Sequence, residues 1–450
     1  MTDNPTARAA PSALYRAVWR WHFYAGLIVL PFMILIAVTG AIYLFKDEIN
    51  DALYAELRRV APQAAATLPP SAIAAAALAA KPGARVASAP PSAPDRAAGV
   101  KIRGEDGVRD LVHLDPWSGR VLGSAWDAGF PGSRAMWIVR KLHSLEYIGW
   151  WGNRIIEAVA GWAVLLVVTG LYLWWPRGRG VGVLAPRRTR GRPFWRDLHA
   201  VTGAYAAVFI LFLALTGLPW SGVWGKNFYD LAYKAGIGMP DGYWADYPTS
   251  DIPTGEALDH SPWILEHQPM PLSTAAEGVP TGLDRIVAKV EATGIAPGYV
   301  VNMPKGAEGV FTASVFPDDV SRQRVIHLDQ YTGEVLFDMS FADLGALGRA
   351  AEWGISVHMG QEFGLANQIL MLLACLAIVL MAVSAIVMWW RRRPAGTLGA
   401  PRPPGDWRAP RAVLVIAVAA GLFFPLVGLS LAAMLLIDLA LPRLWRRRLA

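Results

Sequence analysis

Cysteine is almost missing from this chain: Cys375 is the only one. One thiol excludes an intrachain disulfide framework. The absence of a Cys-x-x-Cys-His string excludes covalent haem attachment. Charge is also scarce. Only 17% of the 450 residues are charged, against 54% hydrophobic, and the mean hydropathy is +0.32. That balance excludes an ordinary soluble protein. No Gly-x-Gly-x-x-Gly follows a strand in the short basic segments, so no built-in nucleotide site is read there. The first apolar run has no small-residue cleavage site after it and is too long for a signal peptide. It reads as a retained span.

What is present is a set of long uncharged runs: Ala25–Phe45, Ala158–Trp175, His199–Trp220 and Ile369–Trp390. Each is close to the length of about 20 apolar residues that crosses a hydrocarbon core as a helix, so four spans are expected. A fifth apolar region, Ala412–Leu441, has Pro425 near its middle and stays open between one kinked span and a hairpin. Seven arginines and no acid lie in Pro176–Arg196, and Arg391–Arg393 follows the fourth span directly. Short basic segments stay cytoplasmic. The expected protein is therefore multi-pass, with residues 46–142 and 221–357 as two large loops outside the cytoplasm. Arg446–Arg448 would also prefer the inside, which favours the hairpin. Topology accounts for the arginines, so no nucleic-acid partner is expected; membrane lipid is.

The spans repeat in pairs. Thr39-Gly40 follows His22 at the same interval at which Thr216-Gly217 follows His199. The step from His143 to Trp174 likewise equals the step from His358 to Trp389. The exported loops repeat too: VHLDPWSGRVLG (112–123) matches IHLDQYTGEVLF (326–337). Each reads as strand, tight turn, strand. Helix candidates Ser71–Ala80 and Gly282–Thr293 precede them, giving two small α+β modules, with a linker in the Ala/Pro-rich stretch 61–94. The expected organisation is 1–45 (N-terminus and first span), 46–142 (first module), 143–220 (second span, Arg-rich loop, third span), 221–357 (second module), 358–393 (fourth span) and 394–450 (C-terminal apolar region). The fold class is thus an α-helical integral membrane protein, four core spans in two repeated pairs, carrying two extracytoplasmic α+β modules.

His22, His143, His199 and His358 stand at or near span starts. A polar group at membrane depth is costly and usually has a partner. A single interfacial histidine is most often an anchor. The matched fourfold placement instead favours two imidazole pairs, each able to ligate one haem iron axially. Gly26 and Gly203, one turn past their histidines, leave room for a flat macrocycle. Zinc fits less well, because no cysteine or carboxylate cluster completes a tetrahedral site. His113 and His327 hold equal places in the repeated strands and read as structural. His260 and His267 share a loop with Trp263 and Glu266. Glu157 is an unexplained acid at membrane depth.

The motif pairs WRWHFYAG with TGAIYLF, KLHSLEYIG with LYLWWPR, FWRDLHAVTG with LTGLPWSG, and SVHMGQEFG with VMWWRRRP resemble the PepSY-associated transmembrane helix family. The likeness runs from Tyr15 to Arg393. It implies PepSY-like exported modules. Family members are often called iron-regulated membrane proteins, and some are inner-membrane ferrisiderophore reductases with two b-type haems. Carried over, His22 and His199 match the inner-face haem ligands, and His143 and His358 the outer-face ligands. The implied partners are a ferric siderophore or other ferric chelate outside and an unidentified cytoplasmic electron donor inside, since the chain shows no nucleotide domain of its own. That donor is a separate protein or a small reductant such as quinol or reduced flavin; the arginines of 176–196 could dock an acidic flavoprotein, but membrane orientation already explains them.

The acceptor site is the hardest to place. Val223–Tyr247 is dense in aromatics, and Trp224, Tyr229, Tyr243 and Trp244 are candidates to stack on a chelate. Packing on the membrane surface or between modules is the plainer explanation of them. The second loop is acidic on balance, which suits a neutral or cationic chelate. Two other functions stay open. One is a non-redox, membrane-anchored binding or peptidase-regulating protein. The other is an electron carrier of the cytochrome b561 type with a non-siderophore acceptor.

Overall fold

The computed structural model describes residues 13–175, 184–239, 248–273, 278–396, 399 and 411–440. It divides into two units: residues 1–41, 142–227 and 370–450 form one, and residues 42–141 and 228–369 the other.

Among the described residues, four helices are long and apolar enough to cross a membrane: Ala13–Tyr43, Trp150–Trp174, Gly191–Trp220 and Gly364–Arg392. Here they are the first to fourth spans. All four outrun the uncharged runs, because Arg16 and Arg20, Arg154 and Glu157, Arg196 and Asp197, and Arg391 continue the helices; the arginine side chains are long enough to reach toward water. All four spans meet at one core of Ala37, Ala163, Val167, Ala206, Ala207, Ile210, Cys375 and Ile378. The side chains there are mostly small, so backbones approach closely, as in a lipid-embedded bundle. Large residues such as Ile28, Val168, Val208 and Leu376 are exposed on the outside. That is the surface lipid would cover. Trp150, Trp151, Trp175 and Trp390 are exposed near span ends, where indoles favour the membrane interface.

The C-terminal apolar region is a hairpin. Helices Arg411–Phe423 and Pro425–Ala440 have 13 and 16 residues, about 20 and 24 Å, short of a hydrocarbon core of about 30 Å. Positions 421 and 428 on a straight helix would differ by about 10 Å along its axis. Here a Cβ on Gly421 would lie 2.9 Å from the Gly428 Cα, so the chain has turned back at Phe424-Pro425. The hairpin docks on the second span. A Cβ on Gly161 would lie 2.7 Å from Val427 Cγ2, so only glycine permits that approach. Trp162 Nε1 donates to Ser430 Oγ at 3.0 Å.

Glu157 acquires a plain role. Its buried carboxylate accepts from the Val223 and Trp224 amides at 2.8 and 3.0 Å. These open the helix Trp224–Lys234, where a negative charge meets unpaired N–H groups. Asp197 on the third span is instead ion-paired, accepting from Arg187 Nε at 2.9 Å and Arg196 Nη2 at 2.7 Å.

The second unit is built on antiparallel sheet. Helix Pro70–Ala80 precedes β1 (Ala84–Ala89), β2 (Ala98–Arg103), β3 (Arg109–Leu114) and β4 (Val121–Trp126). A small ribbon pairs β5 (Thr249–Pro253) with β6 (Pro269–Pro271). Helix Leu283–Ala292 then precedes β7 (Val300–Asn302), β8 (Val310–Val315), β9 (Arg324–Asp329) and β10 (Val335–Ser340). The two helix-plus-meander halves are not independent. β1 pairs with β7 through Ala87–Asn302 and Ser88–Val301, and the sheet runs β10-β9-β8-β7-β1-β2-β3-β4. Each half has its own apolar core, around Ile102, Val112 and Leu114 in one and Ile286, Val301 and Ile326 in the other.

The repeated strand-turn-strand motif has one physical cause in both halves. Asp115 Oδ1 accepts from the Trp117 and Ser118 amides. Asp329 Oδ1 accepts from those of Tyr331 and Thr332. Gly119 and Gly333 close the turns at φ +70° and +63°, a region open to glycine and costly for most other residues.

Candidate functional site

The site grows from the ends of the spans. His22 and His199 lie on the first and third spans, with ring centroids 6.5 Å apart and planes at 85°. Both Nδ1 atoms are engaged. His22 Nδ1 lies 2.9 Å from Thr169 Oγ1 on the second span. His199 Nδ1 lies 3.0 Å from the Met381 carbonyl and 3.1 Å from Ser384 Oγ, both on the fourth. Among the described residues neither Nε2 has a hydrogen-bond partner. The pair thus draws one residue or more from every span.

The spacing has a chemical meaning. An imidazole nitrogen binds a metal at about 2.0–2.1 Å, and the ring centre lies roughly 1.1 Å behind that nitrogen. Two imidazoles holding one metal in line between them would have centroids about 6.3 Å apart; the distance found is 6.5 Å. Among the described residues no group of three or more His, Cys, Asp and Glu side chains could hold a metal ion. The pair offers two nitrogen ligands and no more.

His143 is placed by a related device. It closes the helix Arg134–His143, and its Nδ1 lies 3.0 Å from Thr39 Oγ1 on the first span. A Cβ on Gly40 would lie 3.3 Å from His143 Cε1, and one on Gly170 would lie 3.3 Å from His22 Cε1. The contacts are reciprocal. His22 of the first span rests on Thr169-Gly170 of the second, and His143, just before the second, rests on Thr39-Gly40 of the first. Directly after His143 the chain turns through Leu145 at φ +52°, a left-handed conformation costing a side-chain-bearing residue about 1–2 kcal/mol. His358 closes the helix Ala346–His358 of the sheet-bearing unit.

The two glycines picked out by their spacing differ in role. A Cβ on Gly26 would meet only Leu166, at 4.0 Å, whereas one on Gly203 would meet the Met381 methyl at 3.1 Å. Gly203 therefore serves helix packing against the fourth span. Thr39, Gly40, Thr169, Gly170 and Ser384 are site residues that sequence reasoning misses. A signal for four of them exists in the spacing: Thr39-Gly40 belongs to the repeat already noted, and the step from His143 to Thr169 equals the step from His358 to Ser384.

The candidate acceptor aromatics separate. Trp224 is half-buried with its ring against Phe423. Tyr229 is buried; its hydroxyl donates to the Ile264 carbonyl and accepts from Gln268 Nε2 at 2.6 Å. Tyr243 and Trp244 lie outside the described residues. His260 is stacked on Phe130 and edge-on to Phe316, and His267 meets Tyr229 edge-on. His113 and His327 are buried in β3 and β9. Burial pushes His113 down to about 4, helped by Arg58, and His327 down to about 3.

Residues 19–392 match the family described as PepSY-associated TM region. The chain belongs to this family. The matched segment runs from just before His22 to the end of the fourth span and takes in both helix-plus-meander halves. All four span-end histidines lie within the match, and the C-terminal hairpin lies beyond it. No curated protein matches the chain.

Proposed function

We propose that the chain is a haem-dependent electron carrier of a bacterial inner membrane. It takes electrons from a cytoplasmic donor and reduces a ferric siderophore or similar ferric chelate on the periplasmic side. Oxygen-rich chelators hold the harder Fe(III) far better than Fe(II). One electron added to the ferric complex therefore releases Fe(II) and leaves the chelator intact.

The observation that carries this reading is the His22–His199 pair, with ring centroids 6.5 Å apart, both Nδ1 atoms engaged and, among the described residues, neither Nε2 hydrogen-bonded. Haem b needs only two axial ligands from the protein and, with one cysteine in the chain, is held without covalent attachment. A bound haem supplies a one-electron ferric–ferrous couple tuned by its axial ligands, their hydrogen bonds and burial. The donor set fits, and so do the surroundings. Among the described residues Arg16 Nε, Trp174 Nε1 and Arg392 Nε are buried without hydrogen-bond partners, and the Arg392 guanidinium lies over the ring of Phe23, the residue after His22. An unpaired donor such as Arg392 Nε suits a carboxylate of a haem edge. Gly26 leaves space one turn further along. His143 and His358 are assigned to a second haem on repeat spacing alone.

Orientation follows from the seven arginines of residues 176–196, which place that loop in the cytoplasm. The two helix-plus-meander halves are then PepSY-like periplasmic modules, and the repeated span pairs are the scaffold between the two faces. The test is a reduced-minus-oxidised and pyridine haemochrome spectrum of the detergent-purified protein, with haem counted per chain. Two b-type haems are expected. A protein that stays colourless after haem supplementation would overturn the proposal and leave the sheet-bearing unit as the place to seek a function.

A further inference from the structure

We infer that Thr39, Thr169 and Ser384 are positioning residues that fix the tautomer of the ligand histidines, holding each with its proton on Nδ1 and its lone pair on Nε2. The inference rests on the haem reading and deepens it. A hydroxyl has one proton to donate, and in each of these three it is already committed. Thr39 Oγ1 donates to the Leu35 carbonyl at 2.6 Å. Thr169 Oγ1 donates to that of Leu165 at 2.7 Å. Ser384 Oγ donates to that of Met381 at 2.8 Å. Toward a neighbouring imidazole each oxygen can only accept. His143 Nδ1 at 3.0 Å, His22 Nδ1 at 2.9 Å and His199 Nδ1 at 3.1 Å must therefore each carry hydrogen. For His199 the Met381 carbonyl, which cannot donate, dictates the same tautomer at 3.0 Å.

A neutral imidazole protonated at Nδ1 presents its lone pair at Nε2. The same hydrogen bond raises ligand basicity, as outer-shell partners of metal-bound histidine do. A more basic imidazole favours the ferric over the ferrous state. The hydroxyls therefore both orient the ligands and lower the potential. Thr169 and Ser384 serve the His22–His199 pair, and Thr39 serves His143. Loss of a hydroxyl should be felt at one haem and not at the other.

The experiment is haem retention and potentiometric titration of the full-length protein in detergent, for wild type, Thr169→Val, Thr169→Ser, Ser384→Ala and Thr39→Val. Valine keeps the shape of threonine and removes only the acceptor. The expected result has three parts. Haem affinity falls about 10–100-fold at the affected site. That haem shifts about tenfold toward the ferrous state, a rise of about 59 mV for one electron. Thr169→Val and Ser384→Ala move one haem, and Thr39→Val moves the other. Thr169→Ser restores wild-type behaviour. Unchanged potentials and retention in folded, di-haem Thr169→Val and Thr39→Val proteins would overturn the inference and leave the haem reading standing. A wild type without haem fails the reading beneath it.

Discussion

Acid should open the sheet-bearing unit at two particular strands. His113 in β3 and His327 in β9 are buried, and their pKa values stand near 4 and 3 when folded, against about 6.5 when exposed. Below 6.5 the open strand takes up a proton that the closed strand refuses. Stability is therefore full above the exposed value and falls as pH drops from 6.5 toward 4. At pH 5 an exposed histidine is favoured by a factor of about 30 (10 to the power 1.5) over its state at pH 7.5, about 2 kcal/mol for each. Hydrogen exchange of the detergent-purified protein measures this locally, without a two-state global transition. After correction for intrinsic rates, amides in residues 109–114 and 324–329 should lose roughly 30-fold protection between pH 7.5 and 5. In His327→Asn the response of β9 should flatten, while that of β3 persists. Equal protection at the two pH values in both strands would refute the claim that these imidazoles are held neutral by burial.

Three further outcomes follow from packing and topology. Glu157→Ala leaves two half-buried amides without their acceptor, which costs about 2 kcal/mol; exchange at Val223 and Trp224 should quicken about 30-fold, and Glu157→Gln should do so less. Gly161→Val places methyl groups where Val427 and Phe424 already sit, at about 1–3 kcal/mol, and should raise exchange in residues 425–433; an unchanged pattern there would mean the hairpin docks elsewhere. Trypsin should cut between residues 177 and 192 in inside-out vesicles and spare them in right-side-out ones, and the reverse pattern would invert the topology.

Much of this architecture can be read from residue spacing. The spans show because a hydrocarbon core demands long uncharged runs. The paired β-turns show because Asp115 and Asp329 stand at fixed distances before Gly119 and Gly333, and the turn chemistry is local. What cannot be read depends on contacts far apart in sequence. The β1–β7 pairing joins Ala87 and Ser88 to Val301 and Asn302, residues with no local signature for an edge. Glu157 looks like an isolated acid in the sequence because the amides it caps, at Val223 and Trp224, lie beyond the whole Arg-rich loop and the third span. The candidate site is half legible. Histidines at span ends announce themselves, whereas a hydroxyl such as Thr169 resembles any small residue in a lipid-facing helix until the imidazole it holds is seen. The C-terminal apolar region is ambiguous because a proline suits both a kink and the first turn of a returning helix.

The central claim is that His22 and His199 share one haem. The most direct measurement is haem per chain in His22→Ala, His199→Ala and the double variant, each purified at full length beside wild type. Two haems are expected in wild type and one in each of the three variants, with the same absorption band lost every time and no further loss in the double. Two haems in either single variant, or loss of different bands from the two, would contradict the claim.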